Sequence, residues 1–183
     1  MCFVDTLGAR GGRPREHLRT TGDLETWLVQ SGLSGAAPSG LADTDLADAR
    51  RLREAVHRAA AAVAGGAAPR LADIAEINAA ARKLPLRPQI AGAGGRELVA
   101  GDIVPAALST IAEDAVDMLT GTRRGRIRVC PGCAMLFEDT SRPGRRRWCS
   151  SASGCGNKAK TRAYRLRGKG QSPSGAALGG NDG

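Results

Sequence analysis

"CPGCAMLFEDTSRPGRRRWCSSASGCGNKAKTRAYRLRGKG", residues 130–170, holds four of the five cysteines and ten of the 27 Lys and Arg residues of a 183-residue chain. Cys130 and Cys133 form a C-x2-C pair. Cys149 and Cys155 form a looser pair, and fifteen residues separate the two. Cysteine pairs at about this separation are typical of zinc modules. Zn2+ suits them because it takes four thiolates in a closed tetrahedron, with Zn–S of about 2.3 Å. Pro131-Gly132 supplies the tight turn of a knuckle, and Gly154 and Gly156 let backbone N–H groups approach the sulfurs. So short a segment has too little core to fold unaided, so metal would supply much of its folding free energy. Two other readings stand beside zinc. Cys-Pro-Gly-Cys suits a redox pair, which needs a strand–helix setting and leaves Cys149 and Cys155 without a role. The other is four independent thiols. Cys2, far off in sequence, reads as a small buried apolar residue or a free thiol.

The formal net charge of +9 is unevenly placed. Residues 1–122 carry 13 Lys/Arg against 15 Asp/Glu, whereas residues 123–183 carry 14 against three. A near-neutral body with a strongly basic end points to nucleic acid or an anionic surface. The bland alternative is a solvated basic tail. No apolar run reaches membrane-spanning length, and "MCFVDTLGARGGRPREH" lacks a signal-peptide layout, so a cytoplasmic protein with no membrane partner is expected.

Upstream, the pattern is mostly helical. In "TTGDLETWLVQSGL" Thr20 or Thr21 can cap a helix that Gly32 ends. "DTDLADARRLREAVHRAAAAVAGG" carries Leu46, Ala49, Leu52, Val56, Ala59 and Val63 at helical spacing. "PRLADIAEINAAARKL" puts Leu71, Ile74, Ile77 and Ala81 on one face. "RPQIAGAGGRELVAG" reads as a hairpin around its glycines. "DIVPAALSTIAEDAVDMLTG" returns to helix, capped by Asp102, with Val104, Leu108, Ile111, Ala115 and Leu119 inward. The expected fold class is α+β, mostly α: a helical N-terminal domain (1–122) with a small hairpin, then a treble-clef-like or ribbon zinc module (123–170) ending in a helix. Residues 171–183, rich in Gly and Ser, read as a disordered tail.

The segment "RVCPGCAMLFEDTSRPGRRRWCSSASGCGNKAKTRAYRLR" resembles the CGNR zinc finger of bacterial transcription regulators. The first Cys pair, "LF-DTSR", "RRRWC" and "CGN-AK--R-YR" carry the resemblance. Lys158 stands where the family's name motif has Arg, and the Cys149–Cys155 gap is one residue longer than usual. "FVDTLGAR", "LETWLVQSGL" and "LADARRLREAVHRAA" look like the ABATE domain that precedes this finger. Relatives begin several residues before "FVDT", so a late start of the chain is expected. The resemblance implies a small-molecule effector for the N-terminal domain, without pointing to residues.

Cys130, Cys133, Cys149 and Cys155 are thus the expected metal ligands. Arg142, Arg145, Arg146 and Arg147 form a cationic loop. Lys158, Arg162, Arg165 and Lys169 fall on one face of the last helix, with Lys160 and Arg167 adding charge. These ten are the candidate nucleic-acid contacts, through phosphates or, from the helix, through guanine edges. Ala159, Ala163 and Leu166 read as a stripe packing on the zinc core, Asn157 as a cap, Trp148 as a core anchor, and Tyr164 as either packed or stacking on a base. His17 and His57 are the only histidines, and His57 reads as a surface or capping residue. No Ser-His-Asp set, phosphate-cradling loop or carboxylate pair is apparent, so no enzyme is expected. The functional expectation is a DNA-binding transcription regulator. An RNA-binding module, which would favour more exposed aromatics, and a protein-interaction platform are the alternatives. Oligomerisation is left open.

Overall fold

The computed structural model describes residues 2–92, 94–149 and 154–169, with side chains as far as Arg167. The expected tail 171–183 and the side chain of Lys169 lie outside the described residues. In chain order the elements are β1 (Leu7–Gly8), β2 (Arg15–Glu16), α1 (Thr21–Gln30), α2 (Asp43–Ala64), α3 (Leu71–Ala81), β3 (Arg87–Ile90), β4 (Arg96–Val99), α4 (Ile103–Thr120), β5 (Ile127–Val129), β6 (Leu136–Glu138) and α5 (Cys155–Lys169). Each strand pair is an antiparallel two-stranded ribbon. The architecture is α+β and mostly α.

Thr20 starts α1 with a capping box: its hydroxyl accepts from the Asp23 N–H, and the Asp23 carboxylate accepts from the Thr20 N–H. Two orphan helix-end donors are satisfied reciprocally. The long helix α2 is central. Leu46, Ala49, Leu52, Val56 and Ala59 are buried as their spacing predicts, and Gly66, at φ +77°, turns the chain away after it. On α4, Val104, Leu108, Ala115 and Leu119 face the same core. Asp102 stands at the N-cap of α4, but its side chain makes no capping hydrogen bond.

Helix α3 departs from its expected face. Ile77 is buried, but Leu71 is 84% exposed and Ile74 is also exposed. The side chain that turns inward is Asp73, which accepts from Arg58 of α2 and from Arg70. A carboxylate excluded from water must be paired. The Arg58–Asp73 pair therefore sets the rotation of α3 and leaves Leu71 and Ile74 outside.

The N-terminal stretch is held by a second ionic set. Arg53 on α2 is 2% exposed and forks onto Glu16 of β2, while its Nε donates to Glu54 and one Nη to the Thr6 hydroxyl. Arg10 forks onto the same Glu54. Phe3 stacks obliquely on Trp27, 5.3 Å between centroids. The segment before α1, unassigned by periodicity, is thereby fixed on α2.

The stretch Thr122–Arg126 spans the expected boundary between the helical domain and the zinc module. It forms a 3-10 turn, and Ile127 immediately after it is 2% exposed within the same core as α1–α4. The β5–β6 hairpin packs on α2, so the cysteine module is seated on the helical domain.

Candidate metal centre

Four elements deliver the cysteines. Strand β5 leads into Cys130, and the knuckle Pro131-Gly132 returns the chain through Cys133 to β6, with Leu136 paired to Val129. The Cys130 N–H donates to the Met135 carbonyl and the Ala134 N–H to the Cys130 carbonyl, closing the turn. A long loop then brings Cys149 back, and Cys155 is the first residue of α5. All four Sγ atoms lie within 4.8 Å of one another, with Cys133–Cys149 at 3.6 Å and Cys149–Cys155 at 3.7 Å. No pair is bonded as a disulfide. A tetrahedron with metal–sulfur bonds of about 2.3 Å has edges of about 3.8 Å, so the cluster has the dimensions of a tetrathiolate cage. Hairpin, knuckle and helix-borne fourth cysteine match the expected treble-clef-like or ribbon module ending in a helix.

The thiols do not share one proton affinity. Burial opposes ionisation of Cys130, but backbone N–H groups of Cys149, Gly132 and Cys133 outweigh it and bring this thiol down to about 6. Burial and the neighbouring sulfurs push Cys133 up, and burial pushes Cys155 up. Four thiolates this close repel one another unless a cation lies among them. A metal ion held by these four sulfurs would therefore displace the protons that the raised thiols, Cys133 and Cys155, retain.

Trp148 braces the centre, as its expected anchor role requires. Its ring lies so close to Gly132 and Gly156 that a Cβ at either glycine would sit 3.3–3.4 Å from it. Asn157 does not cap α5. The Lys158 N–H bonds the Gly154 carbonyl, which puts Gly154, at φ +63°, ahead of the first turn.

The cationic loop is built on Asp139, a residue that charge counting passes over. Asp139 is 1% exposed and accepts from the Ser141 N–H, the Ser141 hydroxyl and the Arg146 N–H. The Ser141 hydrogen bond, helped by the Arg146 and Ser141 amides, holds its carboxyl below the usual range. Arg126 donates to the carbonyls of Asp139 and Ser141, and Arg128 to those of Gly125 and Ile127. Of the four loop arginines, Arg142, Arg145 and Arg147 are exposed. Arg146 is drawn inward: its Nε donates to the Trp148 carbonyl and its guanidinium lies 5.3 Å above the Phe137 ring.

Helix α5 leaves the module after its first turns. Lys158, Lys160, Arg162, Arg165 and Arg167 are exposed, and none forms an ion pair among the described residues. The expected apolar stripe does not pack: Ala159 is half-buried, Ala163 is exposed and Leu166 is 65% exposed. Tyr164 is 73% exposed. The helix is tethered through Cys155, which lies against Gly132, and Gly156, which lies against Trp148.

His57 is not a surface residue. It is half-buried on α2, its Nε2 is buried without a partner among the described residues, and the backbone of Ala134 beside the knuckle lies close to it. Burial, then Arg10, push it below its ordinary value. Next to it the Gly11 N–H donates to the Cys133 carbonyl, and a Cβ on Gly11 would meet the Cys133 backbone at 3.1 Å. The N-terminal loop thus touches the metal knuckle directly.

Residues 2–122 match the ABATE model, described as "Putative stress-induced transcription regulator". The chain belongs to this family. Residues 126–168 match the CGNR zinc finger, which contains all four clustered cysteines. No curated protein matches the chain. The ABATE match ends at Thr122, where the 3-10 turn leading to β5 begins, and the finger match begins within that turn. Among the described residues no helix is long and apolar enough to cross a membrane.

Proposed function

We propose that this ABATE-family chain is a cytoplasmic, non-enzymatic transcription regulator whose Zn2+-bound finger grips DNA while the helical domain responds to a small molecule. The observation that carries the reading is α5. It is anchored by a cysteine of the cluster and then presents exposed cations that form no ion pair among the described residues, over several turns. The two acids of the finger are already engaged, Glu138 by Arg123 and Asp139 by its own loop. A rigid base with a projecting cationic helix is suited to phosphates and to the major groove. Arg142, Arg145 and Arg147 supply backbone contacts, Lys158, Arg162 and Arg165 the groove face, and Lys160 and Arg167 the flanks. Arg146 serves by holding the loop. Zinc is the ion of choice for four thiolates in a closed cage.

Gel-shift titration of the full chain on its own promoter region tests this reading. Retarded complexes lost on chelation and restored by Zn2+ are expected. Equal retardation with and without chelator would remove the finger from the reading. Tyr164, an exposed aromatic among cations, favours single-stranded RNA as the second reading. Stronger competition by unstructured RNA than by duplex DNA would select it.

A further inference from the structure

A cavity of about 220 Å³ lies across the boundary between the helical domain and the finger. Phe3, Val56 and Ala60, Ala115 and Met118 of α4, and Leu136 and Phe137 of β6 line it. Its polar groups sit together. Arg123 donates to Asp114 of α4 at 2.8 Å and pairs with Glu138 of β6 at 3.0 Å, and all three line the cavity. Arg123 is thus an ionic clasp joining the two parts of the chain beside an apolar space.

We infer that this cavity is a binding site for a compact, neutral, apolar molecule of about one aromatic ring. Size sets the first limit: an apolar space of about 150 Å³ accommodates benzene, so this one takes a ring with a few substituents. Charge sets the second. Among the described residues Arg123 is the one cation of the lining and is already shared by two carboxylates, so an anion meets net negative charge and a cation must lose its water among apolar walls. The weakly polar edge of a small ring can still meet the carboxylates. The proposal deepens the sensing half of the proposed function by giving it a place and a ligand class. A molecule seated here touches α4 and β6 together and so favours the docked hairpin over any arrangement that separates them.

The test uses the full zinc-loaded chain with indole and toluene as probes, read by ligand-observed NMR and by thermal melting. Saturable binding is expected, with the melting midpoint raised by roughly 5–10 °C at a hundred-fold excess over the dissociation constant. Ala115→Leu and Met118→Phe each fill the space from α4. Either one, once shown to be folded by its melting transition, should lose probe binding at least ten-fold; two variants are used in case one fails to fold. Neither probe binding saturably, or both binding a folded filled variant as they bind the native chain, would overturn the site. Benzoate should bind at least ten-fold more weakly than toluene, and equal or tighter binding would overturn the neutral class. No DNA enters these measurements, so a failed gel shift would sink the regulator reading and leave this result standing.

Discussion

Asp139 lies beneath a loop whose other charges are all positive, and three hydrogen bonds to Ser141 and Arg146 run through its carboxylate. Asp139→Ala should leave the four sulfurs in place but release the loop that aims Arg145 and Arg147. Several-fold weaker duplex binding at normal zinc content is expected, and wild-type affinity would show that the brace is dispensable. Gly11 is a second such residue. A Cβ there would sit 3.1 Å from the Cys133 backbone, tighter than ordinary contact, and that backbone yields less readily than a flexible side chain. Partners one shell out from a metal commonly alter affinity by roughly ten- to a hundred-fold, so Gly11→Val should release zinc to a competing chelator about ten-fold faster. An unchanged release rate would mean that the N-terminal loop merely lies beside the knuckle. Glu54 gives a pH dependence. Burial raises its carboxyl, but the Arg10 and Arg53 guanidiniums outweigh this and bring it from an ordinary 4.5 to about 2. A depressed carboxylate contributes stability that is complete above 4.5 and is lost as pH falls toward about 2. With its partly exposed position screened by solvent, that is about 1 kcal/mol. The acid limb of a stability–pH curve should therefore be shallower in Glu54→Gln, and an identical limb would refute the assignment.

At the scale of elements, legibility followed what each helix packs against. Helices α2 and α4 bury broad apolar faces, so residue spacing alone located them and most of their core residues. Helix α3 is short, and one buried carboxylate paired with Arg58 outweighs two exposed aliphatics in setting its rotation. Spacing sees hydrophobicity but not pairing, so Asp73 was invisible to it. The same blindness hid Arg53, whose partners Thr6 and Glu16 lie on the far side of α1 in sequence. The four cysteines were fully legible because metal geometry demands their spacing. The loop arginines were only half legible: charge located them, but Arg146 spends its side chain on the Trp148 carbonyl and Phe137. For α5 the apolar stripe was a false signal, since among the described residues Ala163 and Leu166 are exposed and the buried anchor is Cys155 at its first turn. This division between free and engaged arginines has a measurable consequence. If about five phosphates are contacted, log affinity should fall against log salt with a slope near −4 to −5. Replacing Arg145 and Arg147 together by Ala should flatten it by about two, whereas Arg146→Ala should change the slope little and destabilise the module. Equal flattening from Arg146→Ala alone would place that side chain on DNA after all.

For the whole molecule, the question is how far the metal's influence reaches. The cores of the two parts are unequal. Phe3, Leu18 and the buried faces of α1–α4 pack without help from the finger, whereas Ile127 is the fully buried aliphatic that the finger contributes to them. Around it the hairpin rests on α2, the Gly11 amide reaches the knuckle, and Arg123 links α4 to β6. Without metal the knuckle and α5 have nothing to fold around, and the hairpin loses its anchor. The helical domain then persists, but with Ile127 and its neighbours withdrawn. Losing one fully buried aliphatic costs about 1.5–3 kcal/mol, which for a domain of this size lowers the melting midpoint by roughly 5–10 °C. Chelation, or Cys149→Ser, should therefore abolish the helical signal of α5, keep that of α1–α4, and shift their melting downward by that amount. Calorimetry and circular dichroism on the full chain, with and without chelator, read both effects. An unshifted midpoint would mean that the finger is tethered without being seated. Loss of all helical signal would mean that the ABATE region has no core of its own.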